Sequence, residues 1–262
     1  DFLRFMEEKI ESVRADTQKS PPPFFTAVDC SFPSFSELSE LQVRRIISSS
    51  EAKSCELDPA PTFLIKDYLD DLLPFLTLMV NASIVEGCLP SSQTTAIVTP
   101  VIKKQGLDPA DLKSYRPVSN LSFMSKVVEK SIARQLVEYL HANNLIPKHQ
   151  SGFRRFHSTE SAVVKVLSDV YSAIDTGNVS LVALLDVSAA FDTVDHSILL
   201  ERLSTSYGIS GMAWKWFESF VIGRRQQVRF GGSSSESVLV KTGIPQGSVL
   251  GPLLYVLYTA DI

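Results

Sequence analysis

The stretch from Ser180 to His196, SLVALLDVSAAFDTVDH, constrains this chain more than any other. Leu181-Val182-Ala183-Leu184-Leu185 is an apolar run of strand length, too short for a helix of its own. Asp186 interrupts the run at its C-terminal end. A carboxylate buried there without a partner is costly, so it needs a cation or donors. The chain then turns through Ser188-Ala189-Ala190 to Phe191 and Asp192, and a helical pattern runs from Thr193 to about Ser206. Asp192 reads as the cap of that helix, with Asp195 three residues later completing a box. An acid on the tip of a strand that feeds a turn and helix is a common way to present a metal ligand. Asp186 would then bind a divalent ion, with the Val187 carbonyl nearby, because hard cations prefer oxygen ligands. The plainer alternative makes Asp186 a strand-end turn residue and Phe191 a core side chain.

The surroundings are those of an ordinary globular protein. The 262 residues are 44% hydrophobic and 21% charged, enough to bury a core. No apolar run is long enough to span a bilayer. The first residues are charged and amphipathic, unlike a secretory signal. Cys30, Cys55 and Cys88 are odd in number and widely spaced. They read as reduced thiols of an intracellular protein, cytoplasmic or nuclear. The net charge of −4 conceals an asymmetry. Residues 101–160 carry 10 Lys/Arg against 5 Asp/Glu, and residues 215–241 carry 5 against 2, while the segment between is acidic. Two basic segments flanking an acidic one suit a grip on a polyanion around a cation-binding centre, although solvated faces give the same pattern.

Periodicity predicts helices over residues 1–16, from Ser36–Ser39 onward, through most of 54–87, over 122–144, over 159–176 and over 212–222. Pro21-Pro22-Pro23 marks a linker. Residues 95–103 read as a strand broken by Pro100, and Gln226–Phe230 with Ser237–Thr242 as a hairpin.

Three further constellations carry chemistry. Lys103, Lys104 and Arg116 lie on two strand segments joined by a turn and could close over a triphosphate, or could simply be solvated hairpin charges. In QSGFRRFHST, Arg154 and Arg155 sit between Phe153 and Phe156, a pattern that suits contact with a phosphate backbone. In TGIPQGSVLGPLLY, Gly243, Gly247 and Gly251 permit close backbone approach, and Gln246 offers an amide at the start of a helix. That segment is either a ligand-facing turn or a tight structural one.

Together, Tyr115-Arg-Pro-Val-Ser-Asn, Gln150-Ser-Gly-Phe-Arg, Asp186-Val-Ser-Ala-Ala-Phe-Asp and Gly243-Ile-Pro-Gln-Gly-Ser-Val-Leu-Gly-Pro resemble the reverse transcriptase of LINE-type (non-LTR) retrotransposons. The jockey-like branch is most similar, through HSTE and DTVDH, and the resemblance covers roughly residues 50–262. It implies an α+β fold: fingers (96–180) and partial palm (181–262) of a right-hand polymerase, with a helical N-terminal extension (1–95) and no thumb. It makes Asp186 the first catalytic aspartate, a ligand with Val187 of Mg²⁺ (Mn²⁺ as a substitute). It places Phe191 at the steric gate, Lys103 or Lys104 with Arg116 on the triphosphate, and Gln246 and Gly247 against incoming nucleotide and template. Arg154 and Arg155 fall in the template-touching motif. The implied partners are an RNA template, a DNA primer and dNTPs, with no membrane. Ala189 departs from the lysine often found there. The two further catalytic aspartates sit, in the family, beyond the Gly-Pro-Leu-Leu-Tyr helix and are not in this sequence.

The resemblance therefore leads us to expect a polymerase domain that does not polymerise as this chain alone. An inert remnant that at most binds nucleic acid is the alternative. An RNA-copying RNA polymerase usually has a polar residue at the gate, and a metal-dependent hydrolase needs a ligand cluster that the sequence lacks. A primer-extension assay checks the expectation of inactivity, which Asp186-dependent dNTP incorporation would overturn. In a polymerase carrying the complete acid set, Phe191→Ala should admit ribonucleotides, and unchanged sugar selection would refute the gate assignment.

Overall fold

Thr95-Ala-Ile-Val-Thr-Pro-Val-Ile is rich in β-branched residues and forms the central strand of the sheet, β1 (Thr95–Ile102). The computed structural model describes residues 1–17, 25–187 and 189–260, with side chains from 16 and 17 excluded. The Pro21-Pro22-Pro23 linker and Ser188 lie outside the described residues. β1 pairs antiparallel with β2 (Tyr115–Asn120), with Ile97 opposite Asn120 and Pro100 opposite Pro117. On its other side it pairs parallel with β3 (Arg225–Phe230), from Thr95 opposite Arg225 to Val98 opposite Val228. Pro100 lies beyond that parallel pairing, so its missing N–H interrupts no bond to β3. β3 in turn pairs antiparallel with the short β4 (Ser233–Ser234) and β5 (Val238–Leu239). The hairpin expected over 226–242 is present, with a shorter return strand.

Nine α-helices are described, all but one near their expected positions. α1 (Phe2–Thr17) lies on the sheet, where Met6 packs with Val98 and Val228. α2 (Glu40–Ser48) begins at Ser39, whose side chain forms a capping box with Gln42. α3 (Thr62–Asp67) and α4 (Leu69–Glu86) follow, and Gly87 closes α4 at φ 64°. α5 (Phe123–Ala142) is the longest and runs through the middle of the core. α6 (Thr159–Asp175) has no buried residue. α7 (His196–Thr205), α8 (Gly211–Val221) and α9 (Gly251–Tyr258) complete the set. One apolar cluster unites α2, α4, α5, α7, α8 and α9. Within it Trp216 stacks on Phe220 at 5.6 Å and donates its indole N–H to Ser83 Oγ.

Two expectations need correction. The apolar run 181–185 is not a strand. Residues 178–187 have no ladder partner, and Leu181 and Leu184 are 95% and 92% exposed. A strand exists only where a neighbour takes its N–H and C=O groups, and no described segment does so here. The helix after Asp186 also starts later than expected, at His196 rather than Thr193. Its cap is Asp195, which accepts from the Ser197 and Ile198 N–H groups. Asp192 is engaged elsewhere and does not cap it.

A charged residue holds the end of the core. Glu129 of α5 is 0% exposed. Its Oε2 accepts from the Val249 and Leu250 N–H groups at 2.7 and 3.1 Å, at the start of α9, and Ser125 Oγ donates to Oε1. An anion there complements the helix N-terminus. The buried Arg224 guanidinium is its electrostatic counterpart, although burial still pushes the Glu129 carboxyl above its usual range. Glu129→Ala leaves two buried N–H groups and a buried cation without their anion, and should cost about 3–5 kcal/mol. Glu129→Gln keeps an acceptor and should cost less. Urea denaturation of the two variants checks the order, and equal losses would contradict it.

Candidate active site

The Gly243–Gly247 turn meets both the Phe191–Val194 segment and β2. Gly243 donates its N–H to Val194 O, and Ile244 donates to Phe191 O, both at 2.8 Å. Thr242 Oγ1 donates to Asp192 O. Gly243 has φ 91°, and a Cβ there would lie 2.7 Å from Asp192 O. On the far side of the turn, Ser119 of β2 donates its N–H to Gln246 O at 2.7 Å. Gly247 has φ 130°, and a Cβ would stand 2.4 Å from Ser119 O. Glycine is required at both positions by conformation and by space.

Side chains complete the assembly. Gln246 Nε2 donates to both oxygens of Asp192, each at 2.9 Å. Burial pushes the Asp192 carboxyl upward, and Gln246 followed by Lys9 of α1 offsets this. Phe191 packs against Tyr255 of α9 with ring centroids 5.0 Å apart, and edge-on against Phe153 at 6.4 Å. Burial, then the charge of Asp186, raises the Tyr255 phenol. His196 is buried, and its Nε2 lies 2.8 Å from Gly243 O. A carbonyl only accepts, so that nitrogen carries the proton.

α1 covers one side of this arrangement. Met6 and Ile10 close a cavity of about 40 Å³ whose other walls include Val98, Pro117, Asp192, Arg224 and Gln246. Arg14 pairs with Asp195 at 2.8 Å, and Phe2 meets the Tyr115 ring edge-on. Lys103, Lys113 and Lys9 line an adjoining pocket with Phe5 and Tyr115.

The candidate residues fall into two sets. Phe191, Gln246 and Gly247 come together, and Asp186 is close enough to act on Tyr255. Lys103 donates its Nζ to Lys113 O, whereas Lys104 and Arg116 are exposed at the sheet margin. Arg154 turns back on its own loop, with Nη1 3.3–3.4 Å from the carbonyls of Pro147, Lys148 and Gln150. Arg155 is exposed and lies over the Phe156 ring. Asp186 and Val187 are exposed, and among the described residues no three His, Cys, Asp or Glu side chains gather as a metal would require. One exposed carboxylate does not make the ligand set of a two-metal centre. Sequence reasoning gave Asp192 to a helix cap and missed its contact with Gln246. A second acid directly after Phe191, unneeded if Asp195 is the cap, was the only signal.

Residues 102–262 match the family described as reverse transcriptase (RNA-dependent DNA polymerase). The chain belongs to the reverse transcriptase family. It is 34% identical over 193 residues to the RNA-directed DNA polymerase from mobile element jockey of Drosophila funebris. It is 36% identical over 188 residues to the probable RNA-directed DNA polymerase from transposon X-element of Drosophila melanogaster. These alignments cover 74% and 72% of this chain but only 21% and 20% of the relatives, so the chain spans about a fifth of their length. The resemblance to jockey-type non-LTR elements is thereby established. Among the described residues no helix is long and apolar enough to cross a membrane.

Burial depresses the basicity of His196. A folded-state pKa below the ordinary 6.5 means that the unfolded chain takes up the proton first. The stability this neutral imidazole contributes is whole above pH 6.5 and lost as pH falls from there through the folded-state value. Thermal melts between pH 7.5 and 5 should show the decline, and His196→Gln should flatten its slope. An unchanged slope would remove His196 as its source.

Proposed function

We propose that this domain serves RNA-directed DNA synthesis, in which a primer 3′-hydroxyl attacks the α-phosphate of a dNTP and pyrophosphate leaves. One observation carries the reading: four sequence-distant motifs meet at one place. Ser119 comes from the first motif, Phe153 from the second, Phe191 and Asp192 from the third, and Gln246, Gly247 and Tyr255 from the fourth. Such convergence around a glycine turn with an open amide suits a site that handles nucleotides.

Within this proposal Lys103 or Lys104, with Arg116, holds the triphosphate, and the pocket that Lys103 lines favours Lys103. Phe191 stands against a 2′-hydroxyl. Gln246 and Gly247 face nucleotide and template, and Arg154 and Arg155 the template backbone. Arg155 is the freer of the two arginines, since Arg154 is committed to its loop carbonyls. Asp186 with the Val187 carbonyl belongs to the metal site, with Mg²⁺ as cofactor and Mn²⁺ as a substitute. The described residues do not complete that site.

An RNA template and a DNA primer are the proposed partners, inside the cell in cytoplasm or nucleus. The division into extension (1–95), fingers (96–180) and partial palm (181–262) is one of motifs. The helices of the extension share a core with α5 and α7–α9, which supports treating all three as one body.

The test uses a fluorescein-labelled RNA–DNA hybrid with a recessed 3′ end. Binding should weaken with salt, and Arg116→Ala or Gln246→Ala should each lower affinity about three- to tenfold. Binding indifferent to both substitutions would sink the reading.

A further inference from the structure

The Asp192–Gln246 contact has a directional consequence. Asp192, when ionised, offers only acceptors, so the amide must turn its nitrogen toward it. Both carboxylate oxygens lie 2.9 Å from Nε2. The opposite amide orientation would set Oε1 against two carboxylate oxygens. The Gln246 main chain is fixed as well, through its carbonyl and the Ser119 N–H. Asp192 is itself held, because its carbonyl accepts from Thr242 Oγ1 and abuts Gly243. Gln246 is half-buried, and among the described residues its Oε1 has no hydrogen-bond partner.

We propose that Asp192 is a positioning residue that fixes the Gln246 amide with Oε1 outward, so that this oxygen is the acceptor the glutamine presents to its ligand. The ligand group that meets Oε1 is therefore an N–H or O–H donor of the bound nucleotide or hybrid. The inference rests on the proposed nucleotide-handling role of Gln246. A side chain that merely filled the turn would need no carboxylate at position 192. An amide without that carboxylate could present either end and would discriminate less between donors and acceptors.

The experiment has two arms, both on the full 262-residue chain. In the first, the side-chain NH₂ resonances of Gln246 are assigned by ¹⁵N NMR. In the unsubstituted protein they should exchange slowly with solvent. Asp192→Asn keeps an Oδ1 acceptor and should retain most of that protection, whereas Asp192→Ala should abolish it. Fast exchange in the unsubstituted protein would overturn the proposal without any ligand.

In the second arm, affinity for the labelled hybrid with a matching dNTP is measured for Asp192→Ala, Gln246→Ala and the double variant. Asp192→Ala should weaken binding about three- to tenfold, but change it less than about twofold when Gln246 is already alanine. Equal losses in both backgrounds would make Asp192 a support of the fold alone, and no loss at all would also overturn the proposal. If Gln246→Ala itself leaves binding unchanged, the functional reading fails instead, and the NMR arm still decides the orientation. Should Asp192→Ala fail to fold, Asp192→Asn takes its place in the cycle, with a smaller expected change that again vanishes in the Gln246→Ala background.

Discussion

The closeness of backbone to backbone at the Gly243–Gly247 turn is the constraint on which the site depends. Two carbonyls, Asp192 O and Ser119 O, occupy the volumes that a Cβ would need at Gly243 and Gly247. The turn therefore lies flush against two other segments, and four motifs separated by as much as half the chain share one small region. Neither contact survives a side chain, because a non-glycine residue at these φ values is strained even where there is space. Behind the turn, Glu129 holds the Val249 and Leu250 N–H groups just ahead of α9. Backbone approach on one side and buried charge on the other leave the Gln246 segment little freedom. A site that must discriminate between similar ligands gains from such pre-organisation.

Much of this was legible in the sequence, for reasons that differ by element. α2, α5 and α8 were readable because their apolar positions repeat at helical spacing, and α2 and α5 also begin at capping serines. The glycine turn was readable as a tight turn, but its neighbours were not, since closeness to Ser119 and Asp192 is a tertiary fact. Asp192 and Asp195 illustrate the limit. Both sit at plausible capping positions, and sequence spacing alone cannot say which one the helix uses. The structure uses Asp195, and Asp192 is thereby released to hold Gln246. Arg154 shows a similar limit. An arginine among aromatics looks outward-facing on paper, yet three carbonyls of its own loop claim it.

The run Leu181–Leu185 shows why strand propensity is not a strand. Its composition favours extended backbone, but sheet structure requires a second segment to share hydrogen bonds. Its exposed leucines, together with the apolar face of α6 that includes Val164, Leu167 and Tyr171, place a large area of hydrocarbon against solvent. Asp186 inherits that exposure, so the sequence reading of a buried acid on a strand tip does not describe this arrangement.

The N-terminal helix adds a separate consequence. Its apolar contacts, Met6 against Val98 and Val228 with Phe2 and Leu3 alongside, form a small cluster apart from the main core. The ion pair that fastens its far end joins residues 181 positions apart and is partly open to water. Few buried contacts and a half-buried ion pair give a segment a low free energy of local opening compared with the body it rests on. Folding order follows from the same numbers. A contact of such long range closes only after the intervening chain has compacted, so the cover is the last piece to arrive and the first to leave.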